Sequence, residues 1–130
     1  MGTGSGGGAA ITALRGGNRL DDNVADLVSR FPTTSKGYFG RPGQGRNHTR
    51  NIESDNPART AAEFAGIASR SHISATPIEG KGMVYRMRDG SVVSHRYVSS
   101  SRDSSPVVGL KVKQASGIRS QKIHFVKKGK

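Results

Sequence analysis

Met83-Val84-Tyr85-Arg86-Met87-Arg88-Asp89-Gly90-Ser91-Val92-Val93-Ser94-His95-Arg96-Tyr97-Val98 decides the fold of this chain. Two runs of β-forming residues are separated only by Asp89-Gly90, the strongest short hairpin signal in a sequence. A two-residue turn there sets Arg88 opposite Ser91, Arg86 opposite Val93 and Val84 opposite His95. The strand period of two then separates a mainly apolar face from one carrying Arg86, His95 and Tyr97. Two more β-rich runs follow, Pro106 to Val112 and Gln121 to Val126, and in the second Ile123 and Phe125 alternate with Lys122 and His124. Read outward from the hairpin, residues 82 to 127 form an antiparallel meander with one cationic face.

Upstream of it the period changes to that of helices. Asp21 or Asp22 reads as the N-cap of a helix over 22–31, with Val24, Leu27, Val28 and Phe31 on one stripe and Pro32 as the stop. Asn56-Pro57 opens a second helix over 57–70, whose apolar stripe is Ala61, Phe64, Ala65 and Ala68. Thr33 to Asn51 between them is rich in Gly, Arg, Asn and Thr and reads as turns and a polar loop, while Ile73 to Gly82 reads as an edge segment or loop. Gly2 to Gly8 has linker composition and lacks the Gly-Lys-Ser/Thr ending of a phosphate loop. The expected organisation is a flexible Gly/Ser-rich linker over 1–10 and a single domain over 11–130. Its expected fold class is α+β: N-terminal helices packed on a four- or five-stranded twisted antiparallel sheet.

With 32% hydrophobic and 5% aromatic residues and no Trp, a chain of 130 residues has material for one small core. A net charge of +12 draws polyanions, nucleic acid first. The charge is uneven, with seven basic against five acidic residues before Pro57 and fourteen against four from there on. Cysteine is absent, which excludes disulfides, thiolate chemistry and thiolate zinc sites. No apolar run approaches the length of a membrane span, and Met1 to Ala10 lacks the pattern of a signal peptide.

The chemistry available to such a chain lies in its histidines. His48 is flanked by Arg46 and Arg50, a base between two guanidinium groups. His124 shares a strand face with Lys122, and His72 sits at the end of the second helix as a partner for its dipole. RNA carries its own nucleophile, the 2′-hydroxyl, so its cleavage asks only for a base, cations on the phosphate and an acid for the leaving 5′-oxygen. The nine acids are dispersed along the chain, so the residue types favour such a site over a metal cage, and neither metal nor cofactor is expected. Arg46, Arg50, Lys81, Arg86, Arg88, Lys111 and Lys113 are candidates for tethering phosphates. A non-catalytic basic RNA-binding module is the alternative; it needs spread charge and stacking rings, for which Tyr38, Phe39, Tyr85 and Tyr97 are available.

His48-Thr49-Arg50-Asn51-Ile52, Ser54-Asp55-Asn56-Pro57, Ala61-Ala62-Glu63-Phe64, His95-Arg96-Tyr97-Val98-Ser99-Ser100-Ser101 and Gln121-Lys122-Ile123-His124-Phe125-Val126, in that order, resemble the C-terminal toxin domains of bacterial polymorphic and contact-dependent inhibition systems. The resemblance covers residues 37 to 128 and implies a compact ribonuclease of the barnase/EndoU/colicin/RelE type. Such a protein cuts tRNA or other RNA without metal; with the 2′-hydroxyl as nucleophile and no carboxylate cage, the expected product end is a 2′,3′-cyclic phosphate. Carried onto this chain, the matches nominate His48, Thr49, Arg96, Ser100, Lys122 and His124 as catalytic. The same resemblance implies secretion or cell-surface delivery as part of a larger toxin and action in the target-cell cytoplasm. It also implies a monomer, neutralised by a dedicated immunity protein that is expected to be acidic.

Overall fold

A computed structural model describes residues 17–43, 48–98, 105–113 and 117–128. The proposed linker over 1–10, Arg46 and Ser100 lie outside the described residues. In chain order the elements are α1 (Asp21–Arg30), β1 (Arg41–Pro42), β2 (Thr49–Ser54), α2 (Pro57–Ala68), β3 (Ser74–Ile78), β4 (Gly82–Arg86), β5 (Val92–Arg96), β6 (Val107–Lys111) and β7 (Gln121–Lys127).

The α+β class and the two helices are as expected, but the sheet is larger and mixed. Among the described residues it has seven strands in the order β1-β2-β7-β6-β5-β4-β3. From β3 to β7 it is the antiparallel meander expected from the hairpin, with the segment before Gly82 forming the edge strand β3. The correction lies at the other side, where β2 joins β7 in parallel, Arg50 beside Ile123 and Ile52 beside Phe125. β2 was hidden because its inward positions alternate Arg50 with Ile52. The guanidinium occupies a place that the period of two reserves for an apolar side chain. It is nonetheless buried, donating from Nε to Phe39 O at 3.0 Å and from Nη2 to Gly40 O at 3.1 Å. Burial of a charge is tolerated where such bonds replace water.

α2 follows β2 and carries the chain across one face of the sheet, packing on β2, β7, β6 and β5 before β3 begins at the far edge. Asn56 Oδ1 accepts from Arg59 N at 3.3 Å, and Pro57 opens the helix as its missing N–H allows. Phe64 is the centre of the core, with the Phe31, Phe39 and Phe125 rings 4.9, 5.0 and 5.7 Å away in tilted or edge contacts. α1 packs on α2. Its N-cap is the buried Leu20 rather than either aspartate; Asp21 and Asp22 lie in the first turn, where negative charge meets the positive end of the helix dipole. The buried Asn23 closes the other helix by donating from Nδ2 to Ala68 O at 2.9 Å and to Arg70 O at 3.1 Å.

The hairpin itself differs from the two-residue form by one residue. Met87 N donates to Ser91 O at 2.8 Å, Gly90 N donates to Met87 O at 3.0 Å, and Gly90 has φ +89°. The loop is therefore Arg88-Asp89-Gly90, a turn closed by a left-handed glycine. Asp89 Oδ1 accepts from Ser91 N at 2.9 Å and so stabilises this longer form. The slip turns β5 over relative to β4. Gly82 pairs with Arg96, Val84 with Ser94 and Arg86 with Val92, while Met83 and Tyr85 pair with His95 and Val93. Arg96 therefore exchanges faces with His95.

Candidate functional site

The face of the sheet turned away from the helices is built from alternate residues of five strands. One row across it runs Thr49, Lys122, Gly109, Ser94 and Val84; the next runs Asn51, His124, Val107, Arg96 and Gly82. A third joins Lys111, Val92 and Arg86. Inward positions are apolar or hydrogen-bonded, as in Ile123, Phe125, Val108 and Val93, so the alternation that buries the core presents the basic residues outward. Among the described residues the only carboxylate at an outward position of these strands is Glu53, which pairs with Arg41 at 2.6 Å near the edge.

Four of the nominated residues, Thr49, Arg96, Lys122 and His124, thus share one face. Lys122 is exposed beside Thr49. His124 is half-buried, its Nδ1 3.1 Å from the hydroxyl of the buried Ser105. Arg96 lies in the row of His124, separated from it by the buried Val107. Two strand spacings put the two Cα atoms roughly 10 Å apart, a span that two long side chains bridge. His48 immediately precedes β2, and its carbonyl accepts from Lys122 N at 2.8 Å. Three residues of rise and one strand spacing put it roughly 11 Å from His124. The two histidines therefore lie on either side of Lys122.

Below Lys122 the face opens into a cleft of about 810 Å³, lined among others by Tyr38, His48, Ser94, Gly109, Lys111, Arg119, Ser120 and Lys122. A Cβ at Gly109 would stand 2.6 Å from Ser94 Oγ, so a larger residue there would displace that hydroxyl. Tyr38, Arg119 and Ser120 were not nominated as members of a catalytic site, since they lie in segments without strand or helix periodicity. The only signal for any of them is that Tyr38 is one of few rings in a basic chain.

The phosphate-tethering candidates divide. Arg86 and Lys111 are exposed at outward strand positions, and Lys81, Arg88 and Lys113 are exposed in turns. Arg50 is corrected: its guanidinium is buried on the helix side, where it bonds backbone carbonyls and stands 5.0 Å over the Tyr38 ring. His95 is likewise absent from the open face. Half-buried with its ring edge-on to Tyr97 at 5.0 Å, it is held below the ordinary imidazole range by loss of solvation. His72 bonds Ser69 O through Nδ1 at 3.0 Å, at the C-terminal end of α2. No group of three or more His, Asp or Glu with metal-binding geometry exists among the described residues. No described helix is long and apolar enough to cross a membrane. No protein-family model, curated protein or solved structure matches the chain.

Proposed function

We propose that this protein is a metal-independent RNA endonuclease, acting as a toxin domain on tRNA or a similar structured RNA in competition between bacteria. The observation that carries the reading is the open face itself. Arg96 stands in the row of His124 and Lys122 in the next row, His48 lies on the other side of Lys122, and no carboxylate stands between them among the described residues. In-line displacement at phosphorus puts the attacking and leaving oxygens on opposite sides. Two proton-transfer groups flanking a central cation meet that demand.

In this mechanism Lys122 and Arg96 hold the scissile phosphate and Thr49 donates a hydrogen bond to it. One histidine takes the proton from the 2′-hydroxyl as O2′ bonds to phosphorus. The bond from phosphorus to O5′ breaks, and the other histidine protonates the leaving oxygen. The products are a 2′,3′-cyclic phosphate and a 5′-hydroxyl, and no net proton is consumed. Ser105 at Nδ1 of His124 orients that ring. The toxin setting rests on the sequence resemblance, and with it the acidic immunity partner. Purified protein incubated with total RNA in EDTA tests the reading: discrete fragments with cyclic phosphate ends are expected. Activity that appears only when Mg²⁺ is added would overturn it.

A further inference from the structure

The ring of Tyr38 has more support than a loop tyrosine needs. Tyr38 N donates to Thr34 Oγ1 at 3.3 Å, and its carbonyl accepts from Thr34 N at 2.8 Å. On its two sides, Gly37 O accepts from Gln121 Nε2 at 3.0 Å and Phe39 N donates to Gln121 Oε1 at 2.8 Å. Gln121 is itself buried, so one side chain of β7 clamps the backbone around the tyrosine. Behind it stands Arg50, buried and fixed by two carbonyls, with its guanidinium carbon 5.0 Å from the ring centroid. That contact is a cation–π interaction in a site shielded from water. The residue is half-buried and lines the same cleft as His48, Lys122 and Lys111.

We infer that Tyr38 is a nucleobase-stacking platform, taking the base of a nucleotide whose phosphate lies on Lys122 or Lys111. Stacking needs a flat ring held in place beside cations, and this cleft provides both. The sites of single-stranded RNA recognition are built on that combination because every base has a π-face. A guanidinium on one side also polarises the ring. Arg50 thus acts on RNA through Tyr38 rather than through phosphate. The cleft is about 810 Å³, within the range of pockets that hold small organic ligands.

This inference rests on the RNA reading of the same face but not on cleavage, so it is tested with an RNA that cannot be cut. The probes are a short 2′-O-methyl oligonucleotide and its abasic counterpart, binding being measured by fluorescence anisotropy at several salt concentrations. Wild-type protein should prefer the base-bearing probe by roughly 5- to 150-fold. In Tyr38→Ala that preference should collapse with the salt slope unchanged. Tyr38→Phe should retain it, and Lys122→Ala should lower the slope and keep the preference. An equal preference in wild type and Tyr38→Ala would overturn the inference, as would an equal affinity of wild type for the two probes. Wild-type cleavage assayed in parallel reports on the nuclease reading separately.

Discussion

At Arg96 and His95 a single residue of register decides which side chain reaches the open face. The sequence shows both as neighbours on a strand, but the face depends on the loop, and the loop depends on Gly90 at φ +89°. Lys122 and His124 were legible because Ile123 and Phe125 alternate with them and bury cleanly. Arg50 was not, because a sequence does not reveal whether a guanidinium finds carbonyls inside a protein. His95 carries a pH prediction. Its folded-state pKa lies below the ordinary 6.5 through desolvation, so between the two values the unfolded chain binds more protons. The corresponding stability is present above pH 6.5 and is lost as pH falls toward the folded value. Urea unfolding at pH 7.5 and pH 5 should show lower stability at the acid pH, and His95→Gln should shrink the difference; an unchanged difference would remove the assignment. Gly109→Ala should impair cleavage with little loss of fold, since the added methyl meets the Ser94 hydroxyl on the open face. The readout is cleavage rate beside the far-UV spectrum.

The elements with a single period were readable and those with a mixed one were not. α2 announced itself through Asn56, Pro57 and four inward residues, and it ends within two residues of the expected place. β2 shows only one aliphatic residue, Ile52, and its partner β7 lies far along the chain. A parallel neighbour that distant leaves no local turn signal. Consequently the sheet gained β2 and β1 at the edge where a loop was expected. Two substitutions test the elements through their ends. Asn56→Ala removes the cap on Arg59 N and should cost about 1 kcal/mol. Gly90→Ala forces a Cβ into the left-handed region and should cost about 1 to 2 kcal/mol, measured by denaturant midpoint at constant slope. A larger loss at Asn56 than at Gly90 would mean that the hairpin tolerates another loop.

Over the whole molecule, the topology turns four basic side chains of the central strands outward on one face, while the helices cover the other side. Exposed Lys122, Lys111, Arg96 and Arg86 share that face. On the RNA reading, contact with about 6 to 10 phosphates should lower affinity by roughly three to five decades between 50 and 200 mM salt. Nearly flat binding over that range would contradict a phosphate-bearing partner. An inhibitor evolved against the same face should be acidic and should associate more slowly as salt rises, which stopped-flow mixing would read. The central claim is that this face performs proton transfer and does not merely hold RNA. The most direct measurement is single-turnover cleavage in EDTA by wild type, His48→Ala and His124→Ala, with affinity for an uncleavable RNA measured on the same preparations. The expected result is a cyclic-phosphate product from wild type, a loss of roughly 10² to 10⁴ in rate for each variant, and affinity nearly unchanged. Full cleavage by both variants, or none by folded, RNA-binding wild type, would contradict it.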